Sequence, residues 1–361
     1  MSRIEIRGKN TVLRDQKEYI AFGPDDYKRI IRGRDQCFLC GQRAKKNKEH
    51  VIPDWVIRLT GVDGERVRLP LGITHNLSTY RVPCCLSCNE TMGDRLEVPI
   101  SKIFKEGYSA VAARVSQRDP LLYAWLNFIY VKTHFKDNFL RVANPRNNRD
   151  RKSLGDRVDW DRIRNPHAIA RSYIFDTEIM PSAIGSMVAI QVPYQQTGSS
   201  FGYQDGNELD CMYIRIKDIA IIASLHDLGA AQHYFREVGL ITPEKISELD
   251  SLLLLAEFEL ASIRRFGYYS LDLEVGSESG KAILEGVNKG PSGMRQLPEY
   301  KRYSTYDYIV DGFFRNENDP TTVKSFLEIA YESRTLPWFS SGFRQPNEEF
   351  YFRDNWMDSI W

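Results

Sequence analysis

Cys37-Phe38-Leu39-Cys40, Glu49-His50-Val51-Ile52-Pro53 and Cys85-Leu86-Ser87-Cys88-Asn89 follow one another between residues 37 and 97. Two Cys-x-x-Cys pairs bracket a lone acid–histidine pair. Thiolates at i and i+3 reach one ion when the backbone turns between them. Two such pairs therefore fill the four positions of a tetrahedral zinc site through Cys37, Cys40, Cys85 and Cys88. A site closed by four protein ligands leaves no position open for water or substrate. The metal then acts as a staple, and the reactive groups are those it holds in place: Glu49, His50 and Asn89.

The order Cys-x-x-Cys, Glu-His-x-x-Pro, Cys-x-x-Cys-Asn resembles the HNH endonuclease family in its zinc-stapled form, over about a sixth of the chain. The resemblance implies a ββα-metal core in which Glu49 and Asn89 hold a catalytic Mg²⁺ or Mn²⁺ and His50 activates the attacking water. Imidazole is a base near neutral pH, and carboxylate and amide oxygens suit a hard cation that stabilises charge on a phosphodiester. The family's middle residue, usually Asn, orients the histidine. Asn76 is the nearest candidate, but it lies farther from Cys85 than is usual, and Thr79 and Tyr80 occupy the expected place.

Charge is divided along the chain. Residues 1–160 carry 30 Lys and Arg against 19 Asp and Glu, an excess of +11, and the remainder carries 19 against 29, or −10. A basic half bearing this motif suits a polyanionic partner. Within it Arg43, Lys45, Lys46 and Lys48 form a basic loop beside Glu49-His50, readable either as a solvated turn or as a phosphate contact. Nucleic acid is the expected partner, with double-stranded DNA favoured and RNA the alternative.

At 361 residues, the chain has room for two or three cores. The expected class is α+β: an HNH nuclease domain over 1–100, a helical connector and basic linker over 101–155, and a mixed accessory domain over 156–361. The N-terminal end shows a short strand around Ile4, Ile6 and Val12 and a short helix over Pro24–Ile31. Asp54–Leu59 reads as a short helix stopped by Gly61, with Trp55 as a core anchor. Val67–Leu71 and Thr79–Val82 read as paired strands. Asn89, Gly93 and Glu97 fall along one helix face, which makes Glu97 either a further metal or water ligand or a salt-bridge partner. Residues 100–139 have helical periodicity, the second helix starting at Asp119-Pro120. Asn144–Lys152 reads as a loop.

Residues 160–230 read as a small sheet carrying strands at 185–192, 210–216 and 219–223, with Cys211 a buried thiol and His226-Asp227 a turn. A helix is expected from Thr242-Pro243, a loop around a short helical piece over Val275–Gly293 and a helix over Thr321–Ser333. Trp338, Phe339, Phe343, Phe350, Tyr351, Phe352, Trp356 and Trp361 crowd the end, suited to packing on the chain itself, on a second copy or on a partner protein.

The six cysteines show no disulfide framework, and no apolar run is long enough for a bilayer. A cytoplasmic, bacterial setting is expected, with no membrane partner. HNH proteins with large accessory domains resemble anti-phage defence effectors, which is family analogy alone. The alternative to an endonuclease is a zinc-knuckle module that binds nucleic acid or protein without cutting it. Such a binder has no need of Glu49-His50.

Overall fold

The computed structural model describes residues 4–7, 11–14, 18–31, 33, 35–44, 46–68, 74–138, 153, 160–193, 199–205, 211–237, 245–266, 269–275, 282–288, 293–294 and 350–351. The architecture is mixed α and β, with helices and several small sheets. The chain divides into two units. The first holds residues 1–105, 119–180 and 272–285; the second holds 106–118, 181–271 and 286–361.

The first unit opens with an antiparallel meander, β1 (Ile4–Arg7), β2 (Thr11–Arg14) and β3 (Glu18–Ala21). Pro24 at the first turn starts α1 (Pro24–Asp26), which continues as a π-turn through Tyr27–Ile31. Strand β4 (Lys48–His50) follows the first cysteine pair. Helix α2 (Asp54–Thr60) stops at Gly61, whose φ of 73° is the left-handed conformation that glycine adopts without cost. Strands β5 (Arg66–Arg68) and β6 (Thr74–Asn76) pair with each other, and β7 (Arg81–Pro83) pairs with β4. The expected pairing of 67–71 with 79–82 is therefore corrected: each segment finds a different partner, and Leu77–Thr79 forms a 3₁₀ turn between them.

Helix α3 (Leu86–Met92) runs through a π-turn at Gly93–Glu97 into α4 (Val98–Glu106), and α5 (Tyr108–Ser116) follows. Asp119 Oδ1 accepts the backbone N–H groups of Leu121 and Leu122 and caps α6 (Pro120–Asp137), with Pro120 at the first position as expected. Every residue of α6 from Leu122 to Thr133 is buried, so this mostly apolar helix is covered on all sides and forms the centre of its unit. Phe128 and Phe135 pack against Phe38 from the first cysteine turn. Trp125 meets Trp55 and Phe104, which makes Trp55 a core anchor.

Residues 160–171 form helix α7, which the expected sheet over 160–230 did not include; its apolar face is Trp160, Ile163, His167 and Ala170. Strand β8 (Thr177–Ile179) comes next in this unit.

The second unit carries a four-stranded antiparallel sheet ordered β10–β11–β12–β9, from β9 (Met187–Gln191), β10 (Phe201–Asp205), β11 (Cys211–Ile216) and β12 (Ile219–Ser224). The two central strands are buried at every position, as their continuous apolar runs demand. Asp227 is buried and accepts from Ser186, Gly229 and Ala231, so the His226-Asp227 pair lies in a turn that starts α8 (Ala230–Glu237). Helix α9 (Glu248–Arg264) begins after Ser247, whose hydroxyl accepts from Asp250 N–H. The start expected at Thr242 is corrected on this point, since 245–247 are not helical, while Thr242–Glu244 lie outside the described residues.

Strands β13 (Arg265–Phe266), β14 (Tyr269–Val275) and β15 (Ala282–Asn288) follow. The expected loop over 275–293 is thus corrected: Ala282, Ile283 and Leu284 pair in parallel with Thr177, Glu178 and Ile179 of β8, and Ala282 and Leu284 are buried. Gly286 sits where a Cβ would come 2.0 Å from the Ser182 carbonyl oxygen, a close approach only glycine permits. Strand β16 (Gly293–Met294) lies between β13 and β17 (Phe350–Tyr351), so two aromatics of the C-terminal stretch join a sheet. Asn144–Lys152, Thr321–Ser333 and the remaining tail aromatics lie outside the described residues. Among the described residues, no helix is long and apolar enough to cross a membrane.

Candidate metal centre and histidine site

The first cysteine pair lies on a tight turn. Gly41 N–H donates to the Cys37 carbonyl, Cys37 N–H to Gln42, and Gly41 has a φ of 74°. The second pair starts α3, with Cys85 as its N-cap residue. Phe38 N–H donates to the Pro83 carbonyl and joins the two segments directly. The sulfurs of Cys37, Cys40, Cys85 and Cys88 all lie within 4.8 Å of one another. Cys40 Sγ and Cys85 Sγ are 3.7 Å apart, and a zinc–sulfur bond of ~2.3 Å gives tetrahedral edges of about 3.8 Å. The four cysteines are positioned to hold a metal ion, and the spacing and donor set fit zinc. Hydrogen bonds from Cys40, then Cys84, Cys85 and Cys88, drive the Cys37 thiol far below the ordinary range. Cys84 is buried and outside the four-sulfur set, its thiol raised by Cys37 and by burial.

Two buried groups of α7 back this centre. Arg171 donates to the carbonyls of Tyr19 and Ile20 and stacks on Phe22 and Phe175. Burial lowers it to about 10, while the charges of Cys40, Cys88 and Cys37 work in the opposite direction. His167 Nε2 lies 2.7 Å from the Phe38 carbonyl, to which its N–H donates, and burial pushes its pKa down to about 3. Neither residue carries a local sequence signal; only the packing of α7 brings them to the cysteines.

Alternation along β4 separates the acid from the histidine. Glu49 pairs with Val82 on the inner face, and both are buried. The Glu49 carboxylate lies 3.6 Å from Lys132 Nζ, which is fully buried and also 3.4 Å from Glu97. Of the two roles open to Glu97, the structure shows the salt bridge, with Lys132 rather than with a sequence neighbour. Burial raises Glu97 to about 7 against the pull of Lys132.

His50 faces the other way, directly across from Arg81. Its Nε2 lies 3.1 Å from the Ser78 carbonyl. The Ser78 carbonyl can only accept and the Arg81 Nε–H, 3.0 Å away, can only donate, so Nε2 stands between partners that select opposite tautomers; Nδ1 makes no hydrogen bond among the described residues. Arg81 Nε–H is shared between His50 Nε2, at 3.0 Å, and the Ser78 carbonyl, at 3.2 Å. Burial, followed by the Arg81 charge, lowers the His50 pKa below its ordinary value.

Asn76 touches the histidine only through Ser78. Its Oδ1 accepts from Ser78 N–H at 2.9 Å and Ser78 Oγ–H at 2.6 Å, which caps the 3₁₀ turn and fixes the carbonyl that holds His50. Thr79 and Tyr80 serve elsewhere: Thr79 bonds to His75 and to the Asn76 carbonyl, and Tyr80 donates to Asp137. Asn89 is half-buried in α3, and its side chain makes no hydrogen bond among the described residues. Arg43, Lys46 and Lys48 are exposed, Lys46 with a φ of 70°, and Lys45 lies outside the described residues. Lys48 shares the outer face of β4 with His50, two residues away. Arg81 and Lys132 were not singled out from sequence; both are ordinary basic residues until the strand pairing and α6 bring them to the site.

No protein-family profile, no curated protein and no solved structure matches this chain.

Proposed function

We propose that this chain is a metal-dependent endonuclease that hydrolyses phosphodiester bonds, with double-stranded DNA as its substrate. The observation that supports this reading is the outward-facing His50, its Nε2 held between the Ser78 carbonyl and Arg81 Nε, on a strand next to a four-cysteine centre. In this reading His50 carries its proton on Nε2, toward the Ser78 carbonyl, Nδ1 takes the proton of the attacking water, and that carbonyl stabilises the imidazolium that results. Asn76 is a positioning residue acting through Ser78. Glu49 and Asn89 supply the hard oxygen donors that suit Mg²⁺ or Mn²⁺, although Glu49 already shares the Lys132 ammonium. When bound, such a cation supplies charge stabilisation to the scissile phosphate. Arg43, Lys46 and Lys48 extend the basic surface toward the backbone of the substrate. The same proposal includes a nuclease domain over 1–100, a connector over 101–155 and an accessory domain over 156–361 that regulates or oligomerises. An effector role in bacterial anti-phage defence rests on family resemblance.

Incubation of supercoiled plasmid and total RNA with the full chain, with Mg²⁺, Mn²⁺ or no divalent ion, tests the reading. Metal-dependent nicking of plasmid is expected, and His50→Ala should slow it by about 10²–10⁴-fold. Equal rates for His50→Ala and wild type, or no cleavage of either nucleic acid, would refute it. The inward turn of Glu49 favours a second reading, a zinc-stapled module that binds nucleic acid without cutting it. Tight DNA binding with no cleavage under any metal would select that one.

A further inference from the structure

We infer that Arg81 is a substrate-binding residue that grips a backbone phosphate of the nucleic acid beside His50. The inference deepens the proposed function and rests on it for the class of substrate.

Strand register places Arg81 opposite His50 in the β4–β7 pair, so both side chains leave the same face. The inner face of that pair is closed by Glu49 and Val82, and Arg81 itself is exposed. Its guanidinium is anchored at one end only. Nε is spent on the Ser78 carbonyl and the His50 ring, at 3.2 and 3.0 Å. Among the described residues, Nη1 and Nη2 have no hydrogen-bond or ion-pair partner. A planar fork held by its Nε, with both terminal amino groups toward solvent, matches the two oxygens of a phosphate.

A charge in this position otherwise opposes its neighbours. Lys48 leaves the same face of β4, and Lys136, half-buried over the Tyr80 ring, is lowered by burial and by the Lys48 charge, with Asp137 working in the opposite direction. Two cations on one strand face, Arg81 and Lys48, with no carboxylate paired to Arg81 among the described residues, suit an anionic ligand. A base next to a phosphate-gripping fork also brings the proton acceptor to the bond it attacks, which is what positioning contributes to phosphoryl chemistry.

The test is fluorescence anisotropy of a labelled duplex oligonucleotide with the full chain and no added divalent ion, across a salt series. Wild type, Arg81→Ala and Arg81→Lys are compared at equal zinc content and equal melting temperature. Each phosphate neutralised contributes about 0.9 to the slope of log K against log salt. Arg81→Ala should lower that slope by about 1 and weaken binding about tenfold at moderate salt. Arg81→Lys should keep the slope and recover part of the affinity, because it keeps the charge and loses the fork. A purely structural role would change affinity without changing the slope. If Arg81→Ala retains the wild-type slope while wild type binds, the inference fails and the nuclease reading stands. If wild type does not bind the duplex at all, both fall together.

Discussion

Removal of the metal centre should melt the first unit well below the temperature of the intact protein. The perturbation is the double substitution Cys85→Ser/Cys88→Ser, which takes away half the sulfur ligands. The magnitude follows from chain connectivity. A metal clip between Cys40 and Cys85 closes a loop of 45 residues, and the chain-entropy relation for a cross-link of that span gives about 4 kcal/mol at 25 °C. For a unit of this size each kcal/mol corresponds to about 2–4 °C, so a fall of about 8–16 °C is expected. Loss of Cys88 also removes one of the three sulfurs, with Cys40 and Cys37, whose negative charge favours the buried Arg171 guanidinium. The assay is differential scanning calorimetry, with zinc measured by atomic emission on the same samples. Wild type should carry about one zinc per chain, and the variant almost none. A zinc-free wild type that folds normally, or a zinc-free variant melting within about 1 °C of it, would refute the staple.

Three further outcomes are expected. Asn76→Ala should cost about 1 kcal/mol by loss of the cap at Ser78 and slow plasmid cleavage, while Asn76→Asp keeps the acceptor and restores both; equal cleavage by all three proteins would remove Asn76 from the site. Lys132→Met should destabilise by about 3–5 kcal/mol in urea titration, because Glu49 and Glu97 lose the buried ammonium they share; a change under about 1 kcal/mol would contradict the observed pairing. His167 should make the protein acid-sensitive. Its pKa is about 3 when folded against the ordinary 6.5, so between those values the unfolded chain binds the extra proton and stability falls as pH drops. The slope approaches about 1.4 kcal/mol per pH unit. His167→Gln should flatten that part of the urea-midpoint profile, and an unchanged profile would count against a buried neutral imidazole.

Much of the local structure was written in short stretches of sequence. Asp119-Pro120 announced the start of the central helix, because a side-chain acceptor and a residue lacking an N–H satisfy the first turn with no help from elsewhere. Gly61 marked the end of α2 by the left-handed conformation it alone adopts cheaply. The β-branched runs at 187–191, 211–216 and 219–224 announced their strands. Cysteine spacing alone was enough to group Cys37, Cys40, Cys85 and Cys88, since four soft ligands in two turns have few other uses.

Partnerships across the chain were decided only by tertiary structure. Ala282–Asn288 forms the middle strand of a sheet between its near neighbour β14 and β8, more than a hundred residues earlier, and the second of these pairings is one that only the fold supplies. Arg81 acquired meaning from strand register opposite His50, and Lys132 from the side of α6 that meets Glu49 and Glu97. Asn76 reaches His50 through a carbonyl two residues away, a link that no side-chain pattern encodes. Caps, turns and periodicity are paid in contacts a few residues apart, so the sequence alone determined them. Which strand lies across from which, and which charge is buried beside which acid, depends on closing long loops onto one shared core, and only the fold determines that.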